Sequence, residues 1–174
     1  MKFSSLIAFA VLIAFMMALF GACGKKSDGE ASSAGDRSFP DFNATASDGK
    51  TYSAKDLSKG VTVAGFTVSW CAPCASELEA LQEIQSEFAN ELSVFVFTYE
   101  DPSKFDSLSS ALRLEFPILQ ADSALFKKLS IEAIPSRLLL QDAREVLRIS
   151  GAPSFEEEEF RERIRQILGI RESA

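Results

Sequence analysis

The sequence predicts an α/β domain, and three observations support this fold class. An apolar run at residues 61–66 has the composition of a strand buried in a sheet. It leads through the sequence WCAPC at residues 70–74 into a segment with helical periodicity. Apolar strands and amphipathic segments then alternate to the end of the chain. With 174 residues, of which 47% are hydrophobic and 25% charged, the composition is that of one globular domain with a full core.

The N-terminal segment differs from the rest of the chain. Residues 6–20 form an apolar run of 15 residues, which is short for a membrane span and typical of a signal-peptide core. Two small residues then precede Cys23, a pattern that resembles the lipobox of bacterial lipoproteins, in which the cysteine is acylated and becomes the mature N-terminus. We therefore predict a lipoprotein-type signal peptide at residues 1–22 and lipidation at Cys23. An uncleaved N-terminal anchor is the alternative.

A polar segment follows this cysteine. Residues 24–38 contain no large apolar side chain and are rich in Gly, Ser and charge, so residues 23–38 are predicted to be a lipidated cysteine with a flexible tether. Both N-terminal alternatives place the domain at 39–174 outside the cytoplasm, anchored to a membrane of the bacterial envelope. The net charge of −7 argues against nucleic acid as a partner.

A hairpin is predicted at the start of the domain. After residues 39–42, the turn sequence Asp48-Gly49-Lys50 separates two short extended segments. Residues 56–60 close this region before the buried strand.

After Cys74 the hydrophobic period becomes that of a helix. Both cysteines are then predicted to lie on its first turn, where Pro73 fits because the N–H it lacks would be unpaired. Unpaired backbone N–H groups and the helix dipole favour an anion there, so the Cys71 thiol should ionise more readily than a free cysteine. A thiolate is the attacking species in disulfide exchange, and Cys74 is placed to resolve the mixed disulfide. The apolar stripe of the helix consists of Leu78, Leu81, Ile84 and Phe88.

A zinc site is the competing interpretation of a Cys-X-X-Cys sequence. The chain contains no histidine, and its only other cysteine is Cys23, so a four-ligand site of nitrogen and sulfur cannot be built. The absence of histidine also excludes a Cys-His catalytic pair and a CxxCH haem attachment. We predict no metal and no cofactor beyond a redox-active Cys71-Cys74 disulfide. Two structural thiols or a static disulfide remain the alternative.

The second half of the chain supplies further strands and helices. Residues 92–98 have the β-branched and aromatic content of a strand, which delivers Glu100 to the end where active sites collect in open α/β sheets. Asp101 and Asp122 are predicted N-caps of two helices, with a short extended piece at 116–119 between them.

The C-terminal part is predicted to form a hairpin and a last helix. Pro135 precedes the apolar strand 137–140, either as the first residue of that strand or in a cis peptide. A second strand at 145–150 completes the hairpin. Ser154 and Glu157 resemble a capping box at the start of the helix.

This order of elements resembles the membrane-tethered thioredoxins of the TlpA/ResA type over residues 39–170. The resemblance implies a thioredoxin-like three-layer fold with an N-terminal β-hairpin. It also implies a central strand-helix insert, because the 61 positions from Cys74 to Pro135 exceed the spacing of a minimal thioredoxin. The motifs that carry it are Phe39-Pro40-Asp41-Phe42, Asp48-Gly49-Lys50, WCAPC, Phe116-Pro117, Ile134-Pro135 and Gly151.

The resemblance further implies a substrate site around the dithiol. Pro135 would be cis and packed opposite Cys71 and Cys74, and Ile134 would offer its backbone to an extended substrate segment. Trp70 would flank the dithiol. The alternatives are simple turn geometry for the proline and core packing for the tryptophan.

Departures from the family pattern lead to three expectations. Gly65 stands where thioredoxins often have a buried aspartate, and it cannot relay a proton. Glu100 aligns with an acidic residue near the dithiol of ResA-like members. If its carboxyl is partly buried within reach of Cys74, its pKa would be raised and it would accept the proton of the resolving thiol. The alternative is a solvated loop glutamate without this role. Ala133 and Arg137 stand where many relatives have glycine and threonine, which predicts a different substrate groove.

The predicted function is thiol-disulfide exchange outside the cytoplasm, most simply the reduction of disulfides in exported proteins. The resemblance makes apocytochrome c a candidate substrate and implies a membrane thiol electron donor. A dithiol oxidase and a non-catalytic tethered binding module are the alternatives. Peroxidase activity is disfavoured, because the threonine usual three positions before a peroxidatic cysteine is Val68 here.

Overall fold

A computed structural model describes residues 37–151 and 157–170. The strands are β1 (Asn43–Ala46), β2 (Thr51–Ser53), β3 (Val61–Phe66), β4 (Leu92–Thr98), β5 (Ile118–Gln120), β6 (Ser136–Gln141) and β7 (Arg144–Ser150). The α-helices are α1 (Cys74–Glu87), α2 (Asp106–Leu112), α3 (Ser123–Lys128) and α4 (Glu157–Leu168), and 3-10 helices occupy Ala54–Leu57 and Pro102–Phe105. The strands form one sheet in the order β2-β1-β5-β4-β3-β6-β7.

Helices cover both faces of this sheet. Because successive residues of a strand point to opposite faces, β3 sends Val63 to one face and Phe66 to the other. The first face packs on α1 and α4, and the second packs on α3 and the chain around Phe39. This arrangement confirms the predicted three-layer α/β fold.

The predicted hairpin and insert are both present. β1 pairs antiparallel with β2 across a turn in which Gly49 has a φ of +84°, the left-handed region that favours glycine. β5 pairs parallel with β4 and antiparallel with β1, so it joins the hairpin to the centre of the sheet. β5 and α3 form the strand-helix insert, and the Asp122 carboxylate caps α3 by accepting a hydrogen bond from the Ala124 N–H at 2.7 Å.

The central strands bring the two predicted site segments together. β3 lies between β4, to which it is parallel, and β6, to which it is antiparallel. In that register Phe66, the last residue of β3, is paired with Ser136, the first residue of β6. The loop that follows β3 therefore lies beside the chain that precedes β6.

The helix that follows the WCAPC sequence begins later than predicted. α1 starts at Cys74 with Pro73 in the N-cap position, so Cys71 precedes the helix and does not lie on its first turn. The physical reason is that Pro73 disfavours helical geometry in the residue before it, Ala72. The Cys74 N–H donates to the Cys71 carbonyl at 3.1 Å, and this turn leads into the helix.

Several sequence predictions concern residues outside the described part. The signal peptide at 1–22, Cys23, most of the tether and Ser154 all lie there. Within residues 37–151 and 157–170, no helix has the length and apolar character that a membrane crossing requires.

Gly65 is required by close packing between the sheet and α1. A Cβ atom at this position would lie 2.8 Å from Cδ1 of Leu81 and 3.2 Å from Cγ2 of Val96. Leu81 and Val96 are both buried, so neither side chain can move away into solvent. An aspartate, as thioredoxins often have here, would not fit without a shift of α1.

Replacing Gly65 with alanine is therefore expected to lower the free energy of unfolding by about 1–3 kcal/mol, the usual cost of overpacking a filled core. Urea unfolding followed by circular dichroism measures this loss. The double variant G65A/L81V, which removes the clashing methyl, should lose less than the sum of the two single variants. Additive losses would contradict the proposed clash.

Candidate active site

Cys71 and Cys74 form a disulfide at the N-terminal end of α1, with 5.4 Å between their Cα atoms. Cys74 is only 3% exposed and belongs to the buried face of the helix, whereas Cys71 is partly exposed in the preceding turn. An external thiol or disulfide therefore reaches Cys71 more readily than Cys74.

The predicted proline lies next to this disulfide. The Ile134-Pro135 peptide bond is cis, as the sequence resemblance implied. The carbonyl oxygen of Ile134 lies 3.7 Å from Sγ of Cys71. The Pro135 carbonyl accepts a hydrogen bond from the Gly151 N–H at 2.7 Å, which ties this segment to the end of β7.

Trp70 is on the surface, 72% exposed, so the core-packing alternative for this residue is wrong. Only Trp70, Tyr99 and Ile170 are exposed large hydrophobic residues among those that the structure describes. Tyr99 directly precedes Glu100, whose carboxylate bonds to Ser69, so the two exposed aromatic residues belong to neighbouring loops.

Glu100 does not have the raised pKa that one of its two sequence alternatives required. Its carboxylate accepts hydrogen bonds from the backbone N–H of Ser69 at 2.5 Å and from the Ser69 hydroxyl at 3.0 Å, and pairs with Lys104 at 2.7 Å. Burial by itself would raise the pKa of Glu100, but these donors outweigh it and hold the pKa below its ordinary value. Glu100 thus fixes the loop before Cys71 and is poorly suited to accept a proton.

Glu77 is the buried acid that the sequence analysis missed. It is 3% exposed on α1, three residues after Cys74, so both side chains share one face of the helix. Burial raises the pKa of Glu77; Arg137 opposes this effect and Glu157 adds to it. In the sequence it was one of several glutamates between apolar positions, and only its place at the edge of the apolar stripe distinguished it.

The sequence position of Arg137 suggested a place in the substrate groove. Instead, Arg137 lies beneath the site. Its side chain is fully buried, with the guanidinium carbon 4.5 Å from the ring centroid of Phe160. Nε lies 3.7 Å from the Glu77 carboxylate, and Nη2 donates to Glu157 on α4. The substitution at this position therefore changes the core behind the dithiol.

No metal site competes with this arrangement in the described ranges. Within residues 37–151 and 157–170, no group of three His, Cys, Asp or Glu side chains is placed to hold a metal ion.

Comparison with known proteins agrees with this geometry. The profile of the AhpC/TSA family matches residues 36–149. The chain belongs to the AhpC/TSA family. Among curated proteins it is 24% identical over 107 residues to the thioredoxin-like protein YneN of Bacillus subtilis, a match that covers 59% of this chain and 63% of YneN.

Solved structures confirm the thioredoxin-like fold. A putative protein disulfide isomerase from Bacteroides thetaiotaomicron has a TM-score of 0.69 and 20% identity, over 79% of this chain and 92% of the other. A putative thiol:disulfide interchange protein DsbE from Chlorobium tepidum also has a TM-score of 0.69, with 19% identity over 79% of this chain and 100% of the other. The family, the fold and the Cys71-Cys74 disulfide together identify a thioredoxin-like domain that carries a Cys-X-X-Cys pair.

Glu77 should make stability depend on pH in a specific direction. Because its pKa is raised above the ordinary value of 4.5 in the folded state, the native protein keeps a proton that the unfolded chain has released. As pH rises from about 4.5 through the folded-state pKa, wild type should therefore lose stability relative to E77Q, by at most about 1.4 kcal/mol per pH unit.

Denaturant unfolding of both proteins across this range measures the difference. E79Q, at an exposed position of the same helix, controls for the loss of a carboxylate. Parallel curves for wild type and E77Q would contradict the assignment.

Proposed function

We propose that this protein is an extracytoplasmic thiol-disulfide oxidoreductase that reduces disulfides in exported proteins. The observation that carries the proposal is the asymmetry of the pair: an accessible Cys71 beside the cis Ile134-Pro135 peptide, and a buried Cys74. Exchange requires one sulfur that meets the substrate and a second that is kept from it until the first has reacted. A static structural disulfide would not need this division.

The reaction follows from the positions of the two sulfurs. In the reduced protein the Cys71 thiolate attacks one sulfur of a substrate disulfide, forms a mixed disulfide and expels the other substrate sulfur as a thiolate. Cys74, as a thiolate, then attacks Cys71 Sγ and expels the second substrate thiolate. The substrate gains two electrons and the Cys71-Cys74 disulfide forms. A membrane thiol donor, itself oxidised to a disulfide, restores the dithiol.

Cys74 must lose its proton inside the protein for the second attack. We assign this proton to Glu77 in place of Glu100, because Glu77 is buried on the same helical face and its pKa is raised toward the working range. Helical side chains lean toward the N-terminus, which directs Glu77 back toward the turn that contains Cys74. Gly65 has no side chain for this task.

The surface around Cys71 suits an extended protein segment. Trp70 and Tyr99 offer exposed aromatic area on neighbouring loops, and the Ile134 backbone runs beside the sulfur. Backbone pairing gives affinity to such a segment, and aromatic contacts select its side chains. The DsbE-like neighbours and the TlpA/ResA resemblance favour exported proteins, including apocytochrome c, as substrates.

The N-terminal sequence supports a location at the envelope membrane. A signal peptide at 1–22, an acylated Cys23 and a tether to residue 38 would hold the domain at 39–174 near a membrane-bound donor. A dithiol oxidase would use the same site with a higher reduction potential, and a binding module would use the groove without turnover.

Single cysteine variants should separate the two sulfurs. In a C23S background, C74S should accumulate a mixed disulfide with a disulfide-containing exported protein, because Cys71 attacks and is not resolved. C71S should accumulate little, because the remaining sulfur is buried. Non-reducing gels and mass spectrometry measure the adducts. Equal capture by both variants would refute the assigned roles, and capture by neither would favour the binding module.

Lipidation of Cys23 is tested on the protein purified from its native membrane. Mass spectrometry of the N-terminal peptide should find an acylated Cys23 as the first residue, and C23A should lose this form. A peptide that begins at residue 1 or 2 would instead demonstrate the uncleaved anchor.

A further inference from the structure

A buried charge cluster connects the active-site helix to the C-terminal helix. Arg137 on β6 is fully buried between Glu77 on α1 and Glu157 on α4. Phe160 covers the guanidinium from one side. Because removing a charge from water costs several kcal/mol unless it is compensated, a wholly buried arginine needs a specific reason to be retained.

The hydrogen bonds in this cluster are distributed unequally. Arg137 donates to Glu157 directly, whereas Glu77 lies at 3.7 Å from Nε, beyond hydrogen-bond distance. Oε1 of Glu77 and both Nε and Nη1 of Arg137 are buried with no hydrogen-bond partner. Arg137 therefore has its charge compensated by Glu157, and Glu77 is the second carboxylate beside one cation.

Hydrogen bonding distinguishes the two carboxylates. Glu157 bonds to Arg137 and also to Arg161 at 3.2 Å, whereas Glu77 lies beyond hydrogen-bond distance from the Arg137 Nε. Protonation of Glu77 leaves the Arg137-Glu157 pair intact.

We propose that Arg137 and Glu157 are positioning residues that set the proton affinity of Glu77, so that the C-terminal helix α4 takes part in controlling the redox site. This inference rests on the proposed function, since Glu77 is the assigned proton acceptor of Cys74. The charged groups that act on Glu77 come from two packed elements: Arg137 from β6 and Glu157 from α4. Arg161 holds Glu157 in place at 3.2 Å and also binds Glu87 on α1.

The two partners have opposite effects, which makes the proposal testable by sign. Removing the cation in R137M should raise the pH at which Glu77 titrates, by about one pH unit or more. Removing the neighbouring negative charge in E157Q should lower that pH. R137K keeps a cation at this position and should shift the midpoint less than R137M does. A purely structural role would move stability in each variant but would not produce opposite shifts.

The experiment follows the infrared carbonyl band of the protonated Glu77 carboxyl during a pH titration of the oxidised, full-length protein. The band is assigned by its absence in E77Q. In parallel, the pH dependence of mixed-disulfide resolution by Cys74 is measured for the same variants. The expected result is an upward shift in R137M, a downward shift in E157Q, and matching shifts in the kinetic midpoint.

Each outcome decides a separate claim. The inference is wrong if the protein exchanges disulfides but the titration midpoints of Glu77 are unchanged, or shift in the same direction in R137M and E157Q. The proposed function then still stands. Opposite infrared shifts in a protein that does not exchange disulfides refute the proposed function. If R137M does not fold, the direction of the shift in E157Q decides by itself. The Glu157 side chain is partly exposed, and E157Q leaves the buried Arg137 side chain unchanged.

Discussion

The antiparallel register of β3 and β6 is the constraint on which the site depends. Phe66 pairs with Ser136, so the turn that contains Cys71 and the peptide before Pro135 leave the same edge of the sheet side by side. A shift of one residue in this register would turn every side chain of β6 to the opposite face. The Arg137 side chain would then point away from α1, and the Ile134 carbonyl oxygen would no longer lie beside the Cys71 sulfur.

The same register explains how a buried charge is accommodated behind the dithiol. Residues directly opposite in an antiparallel pair point to the same face, and Arg137 lies opposite Gly65. The missing side chain at Gly65 lets α1 approach the sheet closely. The charged groups behind the dithiol come instead from Glu77 on α1 and Arg137 on β6. The chain thus has ionisable groups behind its active site, although the strand position that often carries the aspartate in thioredoxins is empty.

Local patterns in the sequence predicted the strands, the helices and the two cysteines, because these depend on short-range rules, whereas the thioredoxin-like arrangement was implied by the family resemblance. The turn at Gly49, the cap at Asp122 and the apolar stripe of α1 each follow from residues close together in the chain. The Glu77-Arg137-Glu157 cluster joins residues up to 80 positions apart, and no local pattern distinguishes such residues from surface charges. The hydrogen bonds that Glu100 accepts from Ser69, 31 positions away, were missed for the same reason, whereas its pairing with Lys104, four residues on, is a local contact.

The equilibrium reduction potential of Cys71/Cys74 tests the central claim most directly. The full-length C23S protein contains only these two cysteines, and its single tryptophan, Trp70, reports their state by fluorescence in defined thiol buffers. A reductant supplied by a membrane donor should have a potential near or below about −220 mV. A potential near about −120 mV would contradict this role and identify an oxidant of exported thiols, and a pair that does not cycle would contradict both.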